Sequence, residues 1–315
     1  MSACIEKKEK TVEGFLSTKE AIDKYIAGCQ AKAQMTNERL FGKAILAGIM
    51  IGMGAAASSV AAHTIADVGL ARLAAAVVFP VGLMMVILLG AELFTGDCLM
   101  AMGVSAGKNS VKDVVRVLVL VYFGNFVGAS LLAVLIAMSG QLDYSAGMLG
   151  AYTIKVAVGK AGISFSKGVV SGILCNILVC AAVLMALCAK DVTGKLLASF
   201  FTIMLFVTAG FEHCVANMYY ITAGLLAKTN SAYVELAMEQ YGYTSEQLAG
   251  LNVENYVLGN LVPVTIGNIL GGILFLGLPL FYLNKEKTEA KEKDTLKEGM
   301  SHDVVYRRGV AGIGN

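Results

Sequence analysis

An all-α membrane protein with six transmembrane helices, arranged as an inverted repeat of three plus three with the second and fifth helices broken, is the fold class that the sequence predicts. Three observations predict it. Apolar stretches recur at a length that crosses a hydrocarbon core, the first three echo the last three, and two of them are too long for one straight crossing.

Hydrophobic residues make up 57% of the 315 positions and charged residues only 15%, with three prolines and no tryptophan. Such a composition suits lipid rather than a water-soluble core. The apolar stretches lie at 40–63, 71–103, 117–139, 165–188, 196–227 and 256–283. Each reaches or exceeds the roughly 20 residues that cross a bilayer as a helix. The first residues, MSACIEKKEKTVEGF, hold no apolar core of the kind a cleaved signal peptide needs.

Taken in order, the chain divides into an N-terminal segment over 1–38, a transmembrane domain over 39–284 and a C-terminal tail over 285–315. Within the first, 18–36 places Ala21, Ile22, Tyr25, Ile26 and Cys29 on one helical face with charges opposite. That pattern fits an amphipathic helix lying on the membrane surface, and equally a helix capping the membrane domain. The tail, NKEKTEAKEKDTLKEG and beyond, mixes charge signs without apolar periodicity and reads as solvated chain.

Charge placement sets an expected orientation. With the N-terminus inside and six spans, twenty of the 25 Lys and Arg residues fall on the inner side, leaving Arg72, Lys155, Lys160, Lys167 and Lys228 outside. The positive-inside bias then puts both termini in the cytoplasm and the protein in the inner or plasma membrane. The seven cysteines show no disulfide or metal spacing, and those in the spans are expected to behave as small apolar side chains.

The repeat emerges when the halves are laid over each other. Gly42-Lys43 through Gly48-Ile49 matches Ser166-Lys167 through Gly172-Ile173, Gly90-Ala91-Glu92 matches Gly210-Phe211-Glu212, and Gly124-Asn125 with Gly128 matches Gly267-Asn268 with Gly271. A unit with an odd number of spans must re-enter from the opposite side, so the repeat is inverted, and a pathway is expected where the halves meet. The long second and fifth stretches each carry a Gly-x-Glu in the interior and are expected to be broken, with Pro80 and Gly82 marking a disturbance in the first and Gly210 in the second. Broken helices aim free N–H groups at a cavity, which suits an anion.

Phe79-Pro80-Val81-Gly82-Leu83, Gly90-Ala91-Glu92-Leu93-Phe94-Thr95, Gly172-Ile173-Leu174-Cys175-Asn176, Gly210-Phe211-Glu212-His213-Cys214-Val215-Ala216-Asn217 and Pro263-Val264-Thr265-Ile266-Gly267-Asn268 together resemble the signature segments of formate/nitrite transporters, over about 35–285. That resemblance implies an aquaporin-like protomer, a homopentamer, and a channel domain passing formate, nitrite or hydrosulfide, with formate the leading expectation. It implies a substrate pathway containing His213, Thr95, Lys160, Glu212, Asn176 and Asn268. It implies two apolar constrictions, Phe79 with Leu83 on the cytoplasmic side and Leu93 with Phe206 on the other. Glu92, Asn217 and Asn125 are expected as structural support.

Each residue also has its own physical reading. An ionisable group inside a span is a functional candidate by default, which singles out His213. Its expected role is to donate or relay a proton to a weak-acid anion, or to polarise it by hydrogen bonding, because a bare anion loses hydration in an apolar constriction. Lys160, beside a span, reads by itself as a snorkelling anchor; the resemblance makes it the cation that draws anions in. The Thr95 hydroxyl could bond substrate or His213, or satisfy local backbone. An aquaporin-type neutral-solute channel is disfavoured because none of Pro80, Pro263 and Pro279 follows an Asn. A redox enzyme using Cys214 lacks a resolving cysteine and cofactor ligands. The expected partners are small monovalent anions, membrane lipid and further copies of the chain, with no enzyme activity, nucleic acid, cofactor or metal.

Overall fold

The computed structural model describes residues 14–285. The expected tail, apart from Lys285, lies outside the described residues, as do Lys7, Lys8 and Lys10. One unit runs to Phe281; of the second, Tyr282–Asn315, the described part is 282–285, helical through Asn284.

Helix α1, Thr18–Ala33, starts on a capping box in which Ser17 and Glu20 satisfy each other's backbone donors. Its stripe of Ala21, Ile22, Tyr25, Ile26 and Cys29 is buried as the periodicity requires. The cover is protein: the Tyr25 hydroxyl donates to the Gly96 carbonyl at 2.8 Å, and Asn109 Nδ2 donates to the Cys29 carbonyl. Through these contacts the stripe packs on protein.

The first span is α2, Asn37–Ala62. The second comprises α3, Val68–Val78, and α4, Val81–Leu89. The chain then leaves helical geometry and resumes as α5, Phe94–Asp97, a 3₁₀ turn and α6, Ala101–Ser105. The third span is α7, Val111–Met138, opened by a second capping box, Ser110 with Asp113. After α8, Met148–Ala161, come the fourth span α9, Phe165–Cys188, and the fifth, α10, Val192–Ala209, which breaks before α11, Cys214–Ala227. Two short helices, α12, Ser231–Tyr241, and α13, Ser245–Ala249, precede the last span. That span opens with a π-helical segment, Asn255–Leu261, runs through α14, Val262–Leu270, and ends beyond a second π segment in α15, Leu278–Asn284. Among the described residues, six helical segments are long and apolar enough to cross a membrane, and the chain is a multi-pass membrane protein.

Both expected breaks are present, but the first is not where the prolyl residue suggested. Phe79 and Pro80 keep right-handed helical dihedrals, and the chain turns out only at Gly90, with φ 67°. Pro80 sits at the start of α4, where a missing N–H costs little. Gly82 serves packing instead: a Cβ there would lie 2.8 Å from the Met50 carbonyl oxygen. The second break is at Gly210, with φ 72°, the left-handed conformation that glycine adopts without a steric penalty.

The repeat is also physical. A Cβ on Gly128 would fall 2.0 Å from the Ile45 carbonyl oxygen, and one on Gly271 would fall 2.3 Å from that of Ile173. These repeat-related positions bring α7 onto α2 and the start of the second π segment onto α9 at backbone contact, as small residues do between membrane helices. The span Val192–Ala209 is only 17% buried over its most apolar window. Its outward Leu197, Phe201 and Leu205 are exposed, as a face toward lipid or another subunit requires.

Candidate functional site

Each break is pinned by one asparagine from the third helix of its own repeat. Asn125 Oδ1 accepts the Phe94 N–H at 2.9 Å, while its Nδ2 donates to the carbonyls of Ala44 and Glu92 at 2.8 and 2.9 Å. Asn268 does the same in the other half: Oδ1 accepts from the Cys214 N–H at 2.9 Å, and Nδ2 donates to Gly172 and Glu212 at 2.8 and 3.1 Å. Both amides are fully buried. A broken helix leaves backbone donors and acceptors that lipid cannot satisfy, and one carboxamide with a donor and an acceptor end meets three of them.

Asn176 extends this framework across the halves, donating to Thr95 and Asn268 carbonyls at 3.1 and 2.6 Å. Asn176 and Asn268, both expected on the substrate pathway, direct their Nδ2 groups to backbone carbonyls, and neither lines the cavities described below.

His213 stands at the second break as the N-cap of α11, where its Nδ1 accepts the Ala216 N–H at 3.1 Å. An acceptor Nδ1 leaves the proton on Nε2. That nitrogen lies 2.9 Å from the Thr95 hydroxyl, which comes from α5 in the other repeat. The two broken helices therefore meet through this one bond, with His213 3% exposed and Thr95 fully buried.

A cavity of 460 Å³ opens on the His213 side, lined among others by Phe79, Phe206, Lys160, Glu212 and Asn217. A second, of 320 Å³, is lined by Leu83, Leu93, Glu92, Lys32 and Asp97. The four apolar residues divide between the two cavities. Phe79 meets Phe206 edge-on at 5.5 Å between ring centroids and shares its cavity with His213, whereas Leu83 and Leu93 line the other cavity. Phe79 and Leu83 are one helical turn apart, a separation of about 6 Å along the axis, so they stand at different depths. All four side chains are buried.

Polar groups repeat on both sides. Lys160, near the end of α8, places Nζ 3.1 Å from both oxygens of Glu212, and Asn217 Nδ2 donates to Glu212 Oε2 at 2.6 Å. On the other side Lys32 of α1 lies 2.6 Å from Glu92 Oε2 and also pairs with Asp97, while Lys43 is 3.8 Å from Glu92. Burial alone would lower the Lys32 pKa, but the Asp97 and Glu92 carboxylates outweigh it and raise the group above the usual lysine value. Glu92, expected as structural support, thus faces the second cavity as Glu212 faces the first.

Lys32 and Asp97 escaped the sequence analysis. Asp97 was findable, because it follows Glu92 by the same five positions that separate Asn217 from Glu212. Lys32 was not, since it arrives on a helix outside the repeat. Among the described residues no group of three or more His, Cys, Asp and Glu side chains could hold a metal.

The formate/nitrite transporter family model matches residues 19–282. The formate channel FocA of Haemophilus influenzae is 38% identical over 217 residues, which is 69% of this chain and 76% of that protein. A probable formate transporter of Methanothermobacter thermautotrophicus is 33% identical over 276 residues, covering 81% and 93%. Among solved structures, a pentameric formate channel with formate bound aligns at TM-score 0.68 and 33% identity, over 78% of this chain and 97% of that one. An ion channel of the FNT family aligns at TM-score 0.69 and 27% identity, over 84% and 98%. With paired breaks, paired asparagines and a histidine beside the Phe79–Phe206 pair already in place, the matches leave one conclusion: the chain belongs to the formate/nitrite transporter family.

Proposed function

We propose that this protein is a channel for small monovalent weak-acid anions, formate foremost, with nitrite and hydrosulfide as alternatives. The observation that carries the reading is the Nε2 to Thr95 hydroxyl bond at 2.9 Å, which joins the two broken helices beside the aromatic pair Phe79 and Phe206. An anion that reaches this point has lost water to the apolar walls. The Nε2–H group is the donor that replaces it, with Thr95 yielding its place.

Of the two roles considered for His213, hydrogen bonding is the better supported. With Nδ1 engaged by Ala216, the ring holds one proton, and giving it up would leave an imidazolate. Protonating Nδ1 instead would break the cap, at a cost of about 0.5–2 kcal/mol. Polarisation through Nε2–H needs neither step.

Lys160 draws anions to the mouth on the His213 side. Paired with Glu212, it supplies positive potential without an uncompensated buried charge. By the positive-inside bias this mouth is the outer one and α1 caps the inner one, both termini being cytoplasmic. The protein works as a homopentamer in the plasma or inner membrane, and it is a channel rather than an enzyme.

Proteoliposome flux with formate, nitrite, hydrosulfide and glycerol tests the reading. Anion uptake without glycerol uptake is expected; glycerol passage with no anion passage would overturn it. Lys160→Glu should lower formate flux roughly tenfold at subsaturating formate, equivalent to about 1.4 kcal/mol. An undiminished rate would reduce Lys160 to an anchor.

A further inference from the structure

Lys160, Glu212 and Asn217 do not stand alone. Asn260 is fully buried in the π-helical opening of the last span, and its Oδ1 accepts from Asn217 Nδ2 at 2.8 Å. Its own Nδ2 donates to the Lys160 main-chain carbonyl at 2.9 Å. Those two bonds close a ring: Lys160 ammonium to Glu212, Glu212 to Asn217, Asn217 to Asn260, and Asn260 back to Lys160. The Lys160 carbonyl, in the last turn of α8, also accepts from the Ile163 N–H at 3.3 Å. Asn260 thus ties the end of α8, through Asn217, to the carboxylate that receives its lysine.

Comparison of the repeats shows that this arrangement is particular to one half. Asn125 pairs with Asn268, an offset of 143, so the position matching Asn260 is Val117, which makes no such bond and lies in the uninterrupted helix α7. At the other mouth Asp97 replaces Asn217, and its Oδ2, like Asn217 Oδ1, has no hydrogen-bond partner among the described residues. Lys32 there is delivered by α1, outside the repeat. A π segment inserts one residue into a helical turn and turns the following side chains by about 100° relative to an α-helix. Asn260 faces Asn217 from within this segment.

We propose that Asn260 is a positioning residue, held inward by the π segment, that fixes Lys160 and Glu212 in the geometry that attracts anions to this mouth. The transport part of this inference rests on the function proposed above; the geometric part does not. Its effect belongs to capture rather than to passage through the apolar pairs, so Asn260→Leu should raise the formate concentration for half-maximal flux about fivefold and leave the maximal rate within about twofold. In a Lys160→Ala background the same substitution should add no further change.

The decisive experiment measures the N260L protein in two ways, flux against formate concentration with and without K160A, and its structure by cryo-electron microscopy. A half-saturation shift that disappears with K160A, together with Lys160 Nζ displaced beyond 4 Å from Glu212, is the expected result. A retained ion pair, or a shift that persists in full without the lysine, overturns the proposal. Where N260L fails to fold, N260A, which removes both hydrogen bonds without adding bulk, is read by the same two criteria. Absence of anion flux in the unsubstituted protein would sink the channel reading alone, because the structural arm still decides whether Asn260 positions the pair.

Discussion

Replacing His213 by phenylalanine lowers formate flux by roughly tenfold to a hundredfold, whereas replacing it by asparagine leaves flux within about tenfold of the original. The reason lies in what each side chain can still do. His213 has two bonds, Nδ1 accepting from Ala216 and Nε2 against the Thr95 hydroxyl. Phenylalanine keeps neither. It extends the aromatic wall of Phe79 and Phe206 through the point where an anion most needs a donor. A hydrogen bond to a charged group is worth about 1.5–3 kcal/mol, which converts to the stated loss. Asparagine is among the best N-caps, so the start of α11 survives, and its amide N–H supplies a donor of similar polarity. Parallel flux measurements in proteoliposomes check the pair. Phenylalanine at the original rate would remove His213 from the pathway. A change in the pH profile with asparagine would restore the proton-relay role, since the hydrogen-bonding role keeps that profile unchanged.

The spans, the breaks and the histidine were legible because each leaves a one-dimensional mark. A bilayer demands about 20 apolar residues, and glycine is the residue that enters the left-handed region cheaply. Gly90 and Gly210, each two positions before a glutamate, therefore announce the breaks better than Pro80 does. Helix α8 left no such mark: at 14 residues it is too short to read as a span, and it starts after Ser145, Ala146 and Gly147 with no capping side chain. Yet α8 carries Lys160 and packs against α11 so closely that a Cβ on Gly224 would sit 2.1 Å from that of Ala157. That Phe79 and Leu83 stand at different depths was also readable, since they lie one helical turn apart. What no local pattern contains is the meeting of Thr95 with His213 or of Lys32 with Glu92. Those contacts follow from folding one repeat against the other and from the placement of α1.

Asn268→Leu destabilises the protein by about 3–9 kcal/mol, and Asn125→Leu by a similar amount. Leucine keeps asparagine's branching but is bulkier, so overpacking at these fully buried sites adds to a loss that is mainly polar. It strands three buried backbone groups at each site: the Gly172 and Glu212 carbonyls with the Cys214 N–H in one half, the Ala44 and Glu92 carbonyls with the Phe94 N–H in the other. Each stranded group costs about 1–3 kcal/mol, and neither lipid nor an α-helix can take up a group that belongs to a break. Asn268→Asp separates the contributions, because its carboxylate still accepts from Cys214 but donates to neither carbonyl, and it adds an unpaired buried charge. It should therefore be no more stable than the leucine variant. Reversible denaturation in detergent measures all three proteins against the original. A loss below about 1 kcal/mol for both leucine variants would mean that the breaks hold without their asparagines, and the framework that presents His213 to Thr95 would have to be sought elsewhere.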